Sequence, residues 1–234
     1  MMLWDRGLRS SAEELSRRSA LAGAASSAGI DGVEIEWKVW KAGEAADDTP
    51  MGRAAAGLVA MYAHLPDIRR TFETAPLQAL AKLHTVVAVP VTPEDVGRPR
   101  SGAPQDALRL GAYPNPEAIP ARLSRLAAQI SRPTAAPALV VAAVVHAELM
   151  SLQPFTYGSG FVARAVDRLL LSSRGVDPDN WSVPEAGLQE AGRPAYARAL
   201  RAYSDGTPES VAEWVAFYAQ AMAAGTTDLA ALLG

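Results

Sequence analysis

The chain of 234 residues contains no cysteine. Disulfides, thiolate nucleophiles and cysteine metal sites are excluded, and the composition suits a reducing cytoplasm. Histidine is scarce too, with three in the chain, and His64 and His84 stand apart from any spacing that would build a metal site. No metal is expected. The longest apolar run, Ala135 to Val145, stops at His146, well short of the roughly 20 residues a bilayer span needs. Met1 to Arg9 carries Asp5, Arg6 and Arg9 around little apolar sequence, so it lacks the core of a signal peptide and export is not expected. A basic excess is also missing. The 22 Lys and Arg stand against 25 Asp and Glu, a net charge of −3, which removes the electrostatic footprint of a non-specific nucleic-acid binder. The expectation is a cytoplasmic protein with neither a nucleic-acid nor a membrane partner.

What is present suffices for one folded domain over residues 1–234. Hydrophobic residues make up 49% and charged residues 20%, enough to bury a core. The abundance of Ala and Arg points to a high-GC bacterial genome. The periodicity predicts a single, mostly α domain. Ser10 to Ala25 reads as a helix with Ser10 or Ser11 as cap and Glu13 and Glu14 in its first turn, ended by Gly29 and Gly32. Val33 to Trp40 alternates apolar and charged residues and fits a half-buried strand or the edge of a helix equally. Helices follow over Arg53–Leu65, Leu77–Val87, Glu117–Ile130, Pro137–Leu152, Gly160–Ser173 and Pro184–Tyr203, with a Pro/Gly/Arg loop at Pro90–Pro104 that has room for a short hairpin. Thr207-Pro208-Glu209 opens the last helix, whose inner face is Val211, Trp214, Val215, Tyr218 and Met222.

The stretch from His146 to Arg164 carries the most information. An apolar helix runs into a loop with Gly158 and Gly160, which feeds the start of a second helix. Unpaired N–H groups at the positive end of a helix dipole form a phosphate site, and Arg164 lies one turn further on. The same glycines also serve a tight turn without any ligand. His146, among valines and leucines, reads as a buried, hydrogen-bonded histidine rather than a base. Nothing near Tyr157 in sequence lowers a phenol pKa of about 10, so packing or ligand stacking is the expectation there.

These residues resemble the Fic (Fido-fold) family. Its HPFxDGNGRxxR motif, preceded by an HxxFexI stretch, aligns with His146-x-x-Leu149-x-x-Leu152-Gln153-Pro154-Phe155-x-Tyr157-Gly158-Ser159-Gly160-Phe161-x-x-Arg164. Gly97-Arg98-Pro99-Arg100 resembles the flap-region GxxR segment, Arg174-Gly175-Val176-Asp177-Pro178 the RGLDP turn, and Tyr196 to Tyr203 the YyxxL helix. The resemblance implies an all-α Fic fold with a small β-hairpin flap, an N-terminal helix over about 10–30, a core over about 53–225 and the motif at 146–164.

Fic enzymes typically transfer AMP from ATP to a protein hydroxyl, and the resemblance assigns each motif position a task. Gln153 replaces the general base, and a carboxamide cannot take a proton near neutral pH. Tyr157 replaces the acid that holds magnesium, and a neutral phenol is a poor ligand for a hard dication. Ser159 replaces the loop Asn, and Phe161 the first phosphate-binding Arg. The phosphate or nucleotide positions left are Gly158, Ser159, Gly160 and Arg164. Ser27-Ala28-Gly29-Ile30-Asp31-Gly32 resembles the family's inhibitory [ST]xxxE[GN] pattern with Asp for Glu, which implies an Asp31–Arg164 ion pair; alternatively Asp31 caps a turn. No cofactor is required by this reading. ATP or another nucleotide remains the family's ligand, and magnesium is not expected. Three functions follow: a pseudoenzyme that binds a protein partner through the old target cleft, a sensor of a small phosphorylated ligand, or a diverged transferase that recruits Tyr157 or His146.

Overall fold

The structure, a computed structural model, describes residues 12–111 and 113–227. Readings that fall on Met1–Arg9, Ser10 or Ser11 lie outside the described residues. Eleven α-helices make up the described fold, in the order α1 Ala12–Ile30, α2 Trp37–Ala42, α3 Pro50–Ala63, α4 Leu65–Thr74, α5 Pro76–Ala88, α6 Ile119–Ser131, α7 Ala138–Leu152, α8 Ser159–Ser173, α9 Pro184–Ala191, α10 Arg193–Tyr203 and α11 Pro208–Thr227. A single 3-10 turn, Pro116–Ala118, precedes α6. The fold is all-α.

The centre of the molecule is α8. Every residue from Phe161 to Ser172 is buried, and α1, α3, α4, α5, α7 and α9 all pack against this helix. Its charged residues Arg164, Asp167 and Arg168 recur three and four apart, a spacing that marks a polar face on a surface helix. Here that face is covered by other helices, and each of the three side chains has a polar partner there. The apolar side of α8 joins Leu83 and Val87 of α5, Ile68 and Phe72 of α4, and Ala142, Val145 and Leu149 of α7 in one continuous core.

Several boundaries differ from the sequence expectation, each for a local reason. Helix α1 runs through Gly29 and stops at Gly32, whose φ of 87° takes the left-handed conformation open to glycine. Val33 N–H then donates to Ala28 O at 2.9 Å, a Schellman-type stop that leaves Asp31 at the helix end. Trp37–Ala42 is helical, so the alternating Val33–Trp40 segment is no strand; Trp40 is buried and its Nε1 donates to Ile35 O at 3.2 Å. Helix α4 was not expected; Pro66 stands in its first turn, where proline is tolerated because its missing N–H has no helical partner. The single helix expected over Pro184–Tyr203 is two, split at Gly192 (φ 84°, ψ 144°) ahead of Pro194.

The small β-hairpin flap is absent: there is no strand among the described residues. Pro90, Pro93, Pro99 and Pro104 remove backbone donors from the segment that would have to form it. The segment is instead an irregular strap fastened to the loop after α7.

Close packing at the far side of the domain depends on small residues. Helices α9 and α11 pair so tightly that a Cβ on Gly187 would collide with the carbonyl oxygen of Ala221. Backbone cannot yield as a flexible side chain can. Gly187→Ala is therefore expected to lower stability by about 1–3 kcal/mol, read as a melting temperature several degrees below that of the parent; an unchanged melting temperature would refute this packing.

Candidate ligand cleft at the start of the central helix

The loop between α7 and α8 is held from outside by the strap. Helix α7 ends at Gln153, which adopts φ 41°, and Gly158 at φ 73° precedes the first turn of α8. Between them the backbone carbonyls are taken one by one. Arg100 Nε donates to Gln153 O at 2.7 Å, Arg100 N to Pro154 O at 2.8 Å, and Gln105 N to Thr156 O at 2.7 Å. The other Arg100 nitrogens hold Gly102 O and Pro114 O, each at 2.7 Å, so one guanidinium fixes both the strap and the loop.

His84 of α5 closes the same junction. Its Nδ1 accepts from Gly97 N at 2.9 Å and its Nε2 donates to Tyr157 O at 3.1 Å, which requires the neutral tautomer protonated on Nε2. The ring stacks on Phe155 with centroids 3.9 Å apart and planes 6° apart. The sequence reading left His84 isolated. Its three contacts come from segments at least 13 residues away and leave no periodic signal.

The motif positions occupy this frame as follows. Gln153 is buried, and its Nε2 has no hydrogen-bond partner among the described residues. Ser159 turns inward: its Oγ accepts from Phe155 N and donates to Phe155 O, both at 3.0 Å, so the hydroxyl stabilises the loop. The Phe161 ring is buried, meets Tyr157 edge-on (5.7 Å, 74°) and lies 5.4 Å below the Arg164 guanidinium carbon, within cation–π range. The Tyr157 hydroxyl has no partner; burial first, and the Asp31 carboxylate second, push its pKa up, so the phenol keeps its proton.

Arg164 is wholly buried and bound to the end of α1. Its Nη2 lies 2.9 Å from Asp31 Oδ1, and its Nε donates to Ser27 Oγ at 2.7 Å. Nη2 also reaches Ser27 O at 3.3 Å. Burial disfavours the guanidinium charge, but Asp31 foremost among the surrounding groups outweighs it and holds the pKa up. Gly160 is what admits this pair, since a Cβ there would stand 3.1 Å from Asp31 Oδ2 and 3.2 Å from Arg164 Nη1. The carboxylate thus lies over the first turn of α8, where the helix dipole favours an anion. Gly32, which ends α1, puts it there.

Asp31, Tyr157, Gly158 and Phe161 share a cavity of about 440 Å³ with Val33, Met51, Val91 and Asp106. Gln153, Ser159 and Arg164 do not line it. A magnesium–phosphate group does not fit these residues in the family's way. The phenol of Tyr157 stands in for a carboxylate, and no group of three or more His, Asp or Glu able to hold a metal ion occurs among the described residues.

Two sets of buried polar contacts lie outside the cleft; the burial and hydrogen bonding of His146 were expected, its partners and the Arg168 contacts were not. His146 Nδ1 is 2.7 Å from Asp167 Oδ2, and its Nε2 meets Tyr196 Oη. The imidazole is fully buried and its ring stacks on Trp214, 5.6 Å between centroids, so it has no access to a substrate. Arg168 makes a two-pronged pair with Glu185 of α9, both contacts 2.8 Å, and its Nη1 donates to Ser19 Oγ of α1 at 2.9 Å.

Burial holds the His84 pKa down to about 4 from an ordinary 6.5. The unfolded chain therefore binds more protons than the folded one between these values, and stability falls as pH falls through that window. The melting temperature is expected to drop between about pH 7 and pH 4.5, and His84→Gln, whose amide can donate to Tyr157 O, to flatten the drop. Equal slopes for the two proteins would show that His84 does not titrate in this way.

Comparison with known proteins places this geometry. A family model described as Fic/DOC matches residues 74–171, which run from the end of α4 through the strap and the glycine loop into α8. Among solved structures, a Fic family protein from Desulfovibrio desulfuricans G20 superposes with a TM-score of 0.75 at 17% identity, over 96% of this chain and 70% of that one. Fic-1 from C. elegans gives 0.72 at 17% identity, over 97% of this chain and 66% of that one. A Fic-domain-containing signaling protein from Bacteroides thetaiotaomicron VPI-5482 gives 0.62 at 18% identity, over 95% and 90%. No curated protein sequence matches the chain. Residues 74–171 of this chain thus match the Fic/DOC family model, and the chain as a whole has the fold of these three structures.

Proposed function

We propose that this protein is a pseudoenzyme of the Fic fold, which does not transfer AMP and acts by binding a protein partner through the cleft beside Asp31. One observation carries the reading. The place where a phosphate would meet the start of α8 and Arg164 is taken by the protein's own Asp31 carboxylate. Around it, the four positions that would do the chemistry hold neutral side chains. Gln153 cannot accept the hydroxyl proton, Ser159 is used within the loop, Phe161 fills space under Arg164, and the Tyr157 phenol stays protonated. His146 is no replacement base, since it is enclosed by Asp167, Tyr196 and Trp214. What remains open is the cavity lined by Met51, Val33, Val91 and Tyr157, apolar enough to receive a side chain of a bound protein.

A second reading, a sensor of a small phosphorylated ligand, has its own support. Arg164 Nη1 is buried without a hydrogen-bond partner and points at the glycine turn that opens α8. An anion that displaced Asp31 would satisfy it. The two readings part on one competition, because a ligand must break the Asp31–Arg164 pair before it can use either group.

Thermal-shift titration with ATP and with pyrophosphate, with and without magnesium, tests both. At 100 times its dissociation constant a ligand adds about 2.7 kcal/mol, roughly 5–10 °C for a chain of this size. The pseudoenzyme reading expects no shift for the parent protein and a shift for Asp31→Ala, which uncovers Arg164. A shift of the parent that Arg164→Ala abolishes would establish the sensor instead. Transfer of labelled AMP to any protein by the purified parent would overturn both.

A further inference from the structure

A second cavity, about 760 Å³, lies in the groove between α6 and α7 and shares no lining residue with the cleft. Its floor is Leu126 of α6 with Val140, Val141, Val144 and Val145 of α7. Helix α7 is apolar over its first half, Ala138 to Val145. Ala142, Ala143, Val145 and Leu149 are buried, as a helix of that composition requires, but Val140, Val141 and Val144 are only half-buried along the groove. An apolar strip is therefore left open to solvent.

The rim of the groove is basic. Arg122 and Arg125 stand one turn apart on α6, and Arg132 follows directly after that helix, so positive charge runs along the α6 side. The acid in the lining is Glu148, which is already engaged: Arg122 Nη2 lies 3.7 Å from it and Tyr203 Oη donates to it at 2.8 Å. Arg125 and Arg132 are exposed and have no acidic partner among the described residues. On a chain of net charge −3 this is a local reversal of sign.

We propose that this groove docks an acidic amphipathic helix of a partner protein, with leucine-like side chains on the valine floor and carboxylates against Arg125 and Arg132. The dimensions suit a helix. Val140 to Glu148 rises about 12 Å along α7, a little over two turns, the span read by anchors at i, i+3, i+4 and i+7. The lining fits nucleic acid poorly, because it offers aliphatic side chains and no aromatic ring on which a base could stack. A second copy meeting the same groove face to face would set arginine rim against arginine rim, an arrangement that like charges oppose.

The test uses two synthetic, dye-labelled helical peptides of about 15 residues, with the same leucine stripe flanked either by Glu or by Lys, followed by fluorescence anisotropy. The Glu peptide is expected to bind and the Lys peptide not to. Arg125→Glu with Arg132→Glu, both exposed positions, is expected to weaken the Glu peptide by about tenfold or more and admit the Lys peptide. Val141→Asp should abolish binding of the Glu peptide, with circular-dichroism melting used to confirm that each variant is folded. The proposal is overturned if the two peptides bind alike, if the preference survives the charge reversal, or if neither binds. It is equally overturned if an oligonucleotide or anionic lipid vesicles occupy the groove in place of the Glu peptide. None of these outcomes depends on the cleft beside Asp31.

Discussion

The fold rests on burying one charged helix. Three polar side chains on α8 lie inside the protein, each held by a different neighbour: Arg164 by an ion pair with Asp31 at the end of α1, Arg168 by an ion pair with Glu185 of α9, and Asp167, whose pKa burial raises, by a 2.7 Å contact with His146 of α7. A buried charge without its partner destabilises a protein by about 3–5 kcal/mol, so these pairs select one arrangement of α1, α7 and α9 around α8 and penalise the others. The apolar core supplies the drive to collapse, but leucine and alanine faces tolerate rotation and slippage. The ion pairs do not.

The same constraint shapes the cleft. Arg164 must be neutralised whether or not a ligand is present, and Asp31 does this from the end of α1, with Gly32 ending the helix and Gly160 allowing the approach. An anion entering the site competes with a contact that already serves stability. The loop beside it is equally committed, since Arg100, Gln105 and His84 occupy its carbonyls and Ser159 ties it to itself. The strap fixes the conformation there.

Much of this was legible in the sequence where the information is local. The helices over 137–152 and 160–173 follow from apolar spacing and the glycine turn between them, and their observed ends differ by a residue. The Asp31–Arg164 contact spans more than a hundred residues and could be anticipated through the resemblance of Ser27 to Gly32 to a known pattern, which periodicity alone would not supply. What escaped was polar and long-range. Asp167 and Arg168 carried no reading of their own, because nothing in the local pattern says that other helices cover them. His84 gave no signal, since its partners Gly97 and Tyr157 contribute backbone atoms, which any residue has. The flap hairpin failed too: the resemblance implied it and the Pro90–Pro104 loop left room for it, but four prolines there remove the backbone donors that a strand pair needs.

Framework and chemistry are separable in this chain, and the physical reason lies in where their free energies reside. The residues that position the loop, His84, Arg100 and Ser159, are tied into buried contacts whose loss would be felt in stability. The other positions that the resemblance aligns with reactive groups carry no side-chain hydrogen bond to the loop. Phe161 fills volume beside Tyr157 and under Arg164, Ser159 closes the loop, and Gln153 ends α7, each compatible with the fold without proton transfer or phosphate charge. Among the described residues, unpartnered buried polar atoms occur on Asp31, Gln153, Tyr157 and Arg164, and equally on Tyr62, Thr92, Asp167, Asn180, Trp181 and Tyr218 elsewhere in the fold. Left without partners, buried polar atoms of this kind are a cost to the folded state. That cost is spread through the molecule, so the interactions that fix the loop before α8 must outweigh it together with the rest of the core.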